Sequence, residues 1–288
     1  MARGEVMRLV TYLNENGVLT PGIELERCKV LNLTKASDGK ITSIMQLIQE
    51  ENWKDTVAQL LQSKLNEVEI INETSYRAPI YASDKFLGVA LNYKDFCDRG
   101  NLSLPTTLKI FGKYQSALNY DGGTFDIQGQ KCTYEGELGV VIGKECRNVK
   151  ANKATEYILG YTIINDFSAN NLIKEDIQLF RGKNLDGAFP FGPVIATKDE
   201  IENPMKLHIK TIVDGEVRQD SCTENMVFDI YDQIEYFSSF MTLKPGDIIA
   251  TGTPAGTALQ FNPPRFVQPG QKIEVSIEQI GSLIITVK

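Results

Sequence analysis

The pattern of apolar and polar positions changes character near residue 76. Met7 to Leu13 reads as a first strand, Asn14-Glu15-Asn16-Gly17 as a turn, and Val18-Leu19-Thr20 as the start of a return strand. Cys28 to Leu33 is another short strand. From Ile44 to Leu65 the period becomes helical. Ile44, Leu47, Ile48, Trp53, Val57, Leu60, Leu61 and Leu65 recur at three- and four-residue steps, with Trp53 on the core side. Residues 1–76 are therefore expected to form a small α+β domain.

After Ala78-Pro79-Ile80 strands dominate. Lys85 to Leu91, Lys109 to Phe111, Glu137 to Ile142, Gly160 to Asn165, Pro193 to Thr197, Leu207 to Val213, Asp247 to Thr251 and Lys272 to Ile277 all read as strands. Helical pieces are expected at about 151–158, 169–180 and 227–240. The segment 92–105 reads as a mobile loop or short helix. Many short strands with few helices predict an α+β, mostly β, domain over 77–288, a barrel or β-roll rather than a doubly wound sheet.

Charge and composition then narrow the function classes. The net charge of −7 argues against nucleic acid and anionic membrane as partners, since both are met by basic faces. No apolar run reaches the roughly 20 residues a membrane span needs. Met1 to Val6 lacks the apolar core of a secretion signal. The five cysteines are dispersed without a CxxC pair, which suits reduced thiols in a cytoplasmic protein. The single histidine, His208, lies in an alternating strand. A Ser-His-Asp triad, a Cys-His pair or a histidine-rich metal site would have to rest on it alone.

The candidate chemistry sits elsewhere. In Tyr134-Glu135-Gly136-Glu137-Leu138 the period-two alternation of a strand points Glu135 and Glu137 to one side. Two adjacent carboxylates repel, and a hard divalent cation such as Mg²⁺ or Mn²⁺ removes the conflict. A solvent-facing acidic edge would show the same local pattern, which does not choose between the two. Asp166 ends the strand Gly160 to Asn165, and Lys183 sits in a polar turn.

The order of these pieces resembles the fumarylacetoacetate hydrolase family. The matching words are Tyr134-Glu135-Gly136-Glu137-Leu138 with Val141-Ile142-Gly143, Gly160-Tyr161-Thr162 with Asn165-Asp166, and Gly182-Lys183-Asn184-Leu185-Asp186. Phe191-Gly192-Pro193-Val194, Asp214 to Gln219, and Pro245 to Gly256 follow. The resemblance covers about residues 85–288. The tail is most similar to the bacterial branch with oxaloacetate decarboxylases and 2-hydroxyhepta-2,4-diene-1,7-dioate isomerases. It implies a β-roll catalytic domain, a homodimer, and one Mg²⁺ or Mn²⁺ held by Glu135, Glu137 and Asp166. It also implies that Lys183 stands near a substrate carbonyl and that Thr253 of the Gly-Thr-Pro loop lines the pocket. The substrate class would be a keto acid or diketone, whose enolate the ion and Lys183 would stabilise.

The chain departs from the family in two places. Hydrolytic members read Asn-Tyr-x-Asp-His-x-x-Glu, and here Asn92-Tyr93-Lys94-Asp95-Phe96-Cys97-Asp98-Arg99 has Phe96 and Arg99 at the histidine and glutamate positions. The family's Ala-Arg-Asp-x-Gln is here Ala169-Asn170-Asn171-Leu172-Ile173, so the arginine that grips a substrate carboxylate is replaced by Asn170. Arg181 or Arg99 could partly replace it, and Asn92 and Tyr93 join Thr253, Asn170 and Arg181 as substrate-contact candidates. Three functions follow. The first is a metal-dependent lyase or isomerase for a 2-keto or 1,3-dicarbonyl acid. The second is a carbon–carbon hydrolase using Asp95 or Asp98 as a substitute base. The third is a non-catalytic metal-binding relative.

Overall fold

The computed structural model describes residues 7–288, so the reading of residues 1–6 lies outside the described residues. β1 (Arg8–Leu13) and β2 (Leu19–Glu26) join through the expected turn. There Asn14 Oδ1 accepts from the main-chain N–H groups of Asn16 and Val18 at 3.0 Å each. β2 runs further than its apolar start suggested and pairs with β3 (Lys29–Asn32).

The helix expected over 44–65 is two helices, α1 (Ile44–Gln49) and α2 (Trp53–Ser63). Glu50 is extended between them. The reason is angular. At 3.6 residues per turn, Val57 would lie about 180° around an unbroken helix from Ile48. The break lets Ile44, Leu47 and Ile48 bury in the same core as Trp53 and Val57.

The remaining principal elements are β4 (Val68–Ile70), β5 (Phe86–Ala90), α3 (Lys94–Arg99), β6 (Lys109–Lys113), β7 (Gly136–Ile142) and β8 (Ile158–Asn165). They continue with α4 (Asn170–Asp176), α5 (Phe180–Lys183), β9 (Phe189–Thr197), β10 (His208–Val213) and β11 (Glu216–Cys222). The chain closes with α6 (Ile230–Phe240), β12 (Ile248–Ala250), β13 (Lys272–Ile277) and β14 (Gly281–Val287). The helical piece expected over 151–158 is a 3₁₀ segment, Ala151–Tyr157. That over 169–180 ends at Ile177, which turns left-handed at φ 57° before α5. Strands β11 and β14 were not expected from the pattern.

Among the described residues the main sheet has twelve strands, ten of them in the order β4-β3-β2-β1-β9-β8-β7-β12-β5-β6. β1 hydrogen-bonds β9, so the strands of the first 76 residues extend the sheet of the later region. A second sheet runs β11-β10-β13-β14 and ends on the short strand Thr124–Phe125. It packs against β7 and β8, which are buried along their whole length. The result is the α+β, mostly β, roll. It places the ends of β7, β8 and β6 together.

Candidate metal centre

The site grows from the pairing of β7 with β8. Gly136 lies opposite Asn165 and Glu137 opposite Ile164. Asn165 Oδ1 accepts from Glu135 N at 2.9 Å, and Asp166 N donates to Glu135 O at 2.8 Å. These bonds bind the carboxylate after β8 to the one before β7. Glu135, Glu137 and Asp166 each offer an oxygen, all within 4.8 Å of one another. Gly136 is glycine for space: a Cβ there would stand 2.4 Å from Thr211 Oγ1 in the second sheet. Gly252, at φ 101°, donates its N–H to Glu137 Oε2 at 2.8 Å, and a Cβ would meet Asn92 Cβ at 2.7 Å.

Two lysines complete the cluster. Lys183, at the end of α5, donates to Glu135 Oε2 at 2.7 Å and also to Asp166 Oδ2. Lys113, the last residue of β6, donates to Asp166 Oδ1 at 2.7 Å and to Ala188 O at 3.3 Å. The Lys113 and Asp166 side chains are both wholly buried. Sequence reasoning missed Lys113. In Lys109-Ile110-Phe111-Gly112-Lys113 its register matches Lys109, which is exposed, and only the sheet's closure turns residue 113 inward. Phe111 covers Lys183, its ring centroid 4.7 Å from Nζ.

The charges do not balance. Three carboxylates face two ammonium groups in a buried space. Burial pushes Glu135 upward against the pull of Lys183, and burial with Asp166 beside it pushes Glu137 well upward. Burial would raise Asp166 too, but Lys113 and Lys183 hold it below the usual carboxylate range. Burial depresses Lys113, while the three carboxylates outweigh burial at Lys183 and raise it. An excess buried negative charge and an all-oxygen donor set suit a hard divalent cation. At ligand distances of about 2.1 Å, neighbouring oxygens of an octahedron stand about 3 Å apart and opposite ones about 4.2 Å. The observed spread accommodates both.

The other candidates divide. Thr253 is held by Gln219, whose Nε2 donates to Thr253 Oγ1 at 2.7 Å and to Pro254 O at 2.9 Å. Gln219 Oε1 accepts from Gly136 N at 2.9 Å and from Thr211 Oγ1 at 2.7 Å, so this buried amide, unnoticed in the sequence, sets the Gly-Thr-Pro loop on the metal strand. Asn92 is consumed by main chain: Nδ2 donates to Thr251 O and Phe228 O, and Oδ1 accepts from Phe228 N. Tyr93 is fully buried, its hydroxyl has no partner among the described residues, and burial together with the Glu137 charge raises it well above the ordinary phenol. Asp95 accepts from Ser221 Oγ at 2.6 Å and Phe96 N at 2.7 Å, whereas Asp98 is exposed. Asn170 is half-buried, and its Oδ1 has no partner among the described residues. Arg181 does not join the cluster: it is exposed and paired with Asp176 at 2.6 Å and Glu175 at 3.0 Å. His208 is exposed beside Asp220 at 2.6 Å.

This roll and acidic site define a class of enzyme fold. The model of the fumarylacetoacetate (FAA) hydrolase C-terminal domain matches residues 85–288, and the chain belongs to that family. A fumarylacetoacetate hydrolase from Exiguobacterium antarcticum superposes with a TM-score of 0.85 at 32% identity, covering 98% of this chain and 99% of that one. A 2-hydroxyhepta-2,4-diene-1,7-dioate isomerase from Mycobacterium marinum gives 0.74 at 30% identity, with 98% of each chain covered. A maleylpyruvate hydrolase from Sphingobium sp. SYK-6, in complex with manganese(II) and pyruvate, gives 0.78 at 26% identity, again covering 98% of each. The structural relatives thus include both hydrolases and isomerases, and one holds a divalent metal with a keto acid.

Proposed function

We propose that this protein is a divalent-metal-dependent lyase or isomerase that decarboxylates or tautomerises a 2-keto or 1,3-dicarbonyl acid through an enolate. The observation that carries the reading is the buried Glu135–Glu137–Asp166 cluster with Lys183 hydrogen-bonded to two of its members. Glu135, Glu137 and Asp166 would hold Mg²⁺ or Mn²⁺, which supplies Lewis-acid polarisation of a keto oxygen. Lys183 keeps its proton and presents fixed positive charge where an enolate oxygen develops. Lys113 orients Asp166 from the far side. Phe111 covers the Lys183 ammonium.

A hydrolytic reading draws support from the maleylpyruvate hydrolase likeness. Asp95 would be its base, but Ser221 and the helix backbone already engage that carboxylate. The proposed protein is a cytoplasmic homodimer. Five unpaired cysteines support the compartment, and the exposed apolar residues Ile177, Phe180 and Tyr114 support a partner surface. Among the described residues no helix is long and apolar enough to cross a membrane.

The test is to assay Mn²⁺-loaded protein with oxaloacetate for pyruvate and with acetylpyruvate for acetate. Pyruvate release from oxaloacetate, abolished in Glu137→Ala, is the expected result. Acetate release alone would favour hydrolysis, and no turnover of either would overturn an enzymatic role on these compounds.

A further inference from the structure

Three arginines from separate parts of the chain gather on one aromatic ring beside the proposed active site. The guanidinium carbons of Arg99, Arg218 and Arg265 stand 4.9, 5.4 and 4.9 Å from the centroid of the Phe261 ring. Arg99 ends α3, Arg218 lies on β11, and Phe261 and Arg265 lie in the loop before β13. Among the described residues Glu216 is the one acid in ion-pair reach of the three. It meets Arg218 at 3.1 Å and also pairs with Arg265. Three positive charges therefore share one ring, with one acid beside two of them, in a chain whose net charge is −7. Among the described residues no acid pairs with Arg99. The Arg218 side chain is nine-tenths buried, at 10% exposure, and its Nε has no hydrogen-bond partner among the described residues. Burying an unpaired donor is costly, and like charges gathered in excess of their counter-charge repel. The cluster is rational if an anion completes it. Stacking on an aromatic face holds guanidinium planes and turns their N–H edges outward.

The place of the cluster matters as much as its charge. Gln260 Nε2 donates to Phe96 O at 2.8 Å, and Ser221 Oγ donates to Asp95 at 2.6 Å. So α3 rests on the same loop and strand that supply the other two arginines. Residues near two of the three reach the centre: Gln219, beside Arg218, holds Gly136 and Thr253, and Asn92, just before the helix that ends in Arg99, donates to Thr251 O of the Gly-Thr-Pro loop at 2.7 Å.

We propose that Arg99, Arg218 and Arg265 form an oxyanion-binding site that takes a carboxylate or phosphate and, when filled, fastens α3 to the roll. In the source we favour, the anion is the remote carboxylate of a dicarboxylic keto acid; that assignment rests on the proposed function, whereas the anion site itself does not. Asn170 offers no charge and Arg181 is held by two acids, whereas Arg218 and Arg265 share the single acid Glu216, so among the described residues this cluster keeps an excess of positive charge.

Calorimetric titration of full-length, Mn²⁺-loaded protein with inorganic phosphate and with succinate tests the site directly. One saturable site per chain is expected, weakened about tenfold or more in Arg99→Gln and in Arg265→Gln. Arg99→Lys should recover part of the loss. Both positions are exposed, so folding should survive, with circular dichroism as the check. No saturable binding of either anion to the unsubstituted protein, or equal binding in both variants, overturns the proposal. The source is then read from oxaloacetate kinetics. Competition by phosphate, with a raised KM and unchanged kcat in Arg99→Gln, assigns the site to the substrate's remote carboxylate. Phosphate binding without competition assigns it to a separate anion. Failure of oxaloacetate turnover counts against the proposed reaction alone, because the phosphate titration does not need turnover.

Discussion

The β7–β8 floor of the site and the flank carried by α3 are built on opposite plans. On the floor, charged groups are buried and interlocked: Asp166 alone accepts from Lys113 and Lys183, and Glu137 accepts from the main chain of Gly252. On the flank, a six-residue helix is attached through side chains that face partly outward: Asp95 to Ser221, Phe96 O to Gln260, Arg99 to Phe261. Burial makes each floor charge dependent on the others, since an unpaired ion there is expensive. The flank's contacts are separable. The floor is therefore the more interdependent of the two regions and the flank the more tolerant of change.

The floor should break first and hardest. Asp166→Asn leaves Lys113 and Lys183 facing a neutral amide. Metal-free stability should drop by about 3–5 kcal/mol in urea denaturation, and Mn²⁺ binding should weaken about a hundredfold or more by calorimetry. An unchanged midpoint would mean the buried ion cluster is not interdependent. Lys183→Met should lower turnover by about a hundredfold while the variant still binds Mn²⁺, the scale of one lost donor at a developing oxyanion. Mn²⁺ at about a hundred times its Kd should stabilise the folded protein by about 2.7 kcal/mol, reversibly on chelation, as read from thermal melts. Absence of that shift would count against the metal assignment. The smallest effect belongs to the flank. Asp95→Asn should raise KM about threefold to tenfold and leave Mn²⁺ affinity unchanged. A loss of metal binding there would erase the contrast between the two regions.

Much of the floor was readable in one dimension because strands project residues at fixed intervals. Glu135 and Glu137 share a side by the period of two, and Asp166 sits at a strand end. What escaped notice depended on closure of the roll. Lys113 reads as a solvent-facing lysine until the sheet turns it onto Asp166. Gln219 made β11 too polar to read as a strand, because its polar side chain is buried among hydrogen-bond partners rather than in contact with water. The break between α1 and α2 is likewise a tertiary effect, since both apolar stripes must meet one core. On the flank the residue types were legible, but Arg181 and Arg99 could not be told apart until ion pairs were seen: Asp176 holds the first, and an aromatic ring holds the second.

The pairing of β1 with β9 has a consequence for how this chain is made. Leu9 lies opposite Ile195, and Met7 N donates to Thr197 Oγ1 at 3.0 Å, across 190 residues of chain. At roughly 5–20 residues per second, a ribosome needs about ten to forty seconds to deliver the partner. During that interval β1 has β2 on one side, and on the other only Thr11 and Tyr12 are covered, by Arg77 and Tyr76, so Arg8 to Val10 present an open edge of the kind that recruits stray strands. The Arg8 to Val10 edge is thus sealed only once residues 194–196 have been made. Nascent chains stalled before residue 189 should bind holding chaperones, and those extended beyond residue 197 should release them.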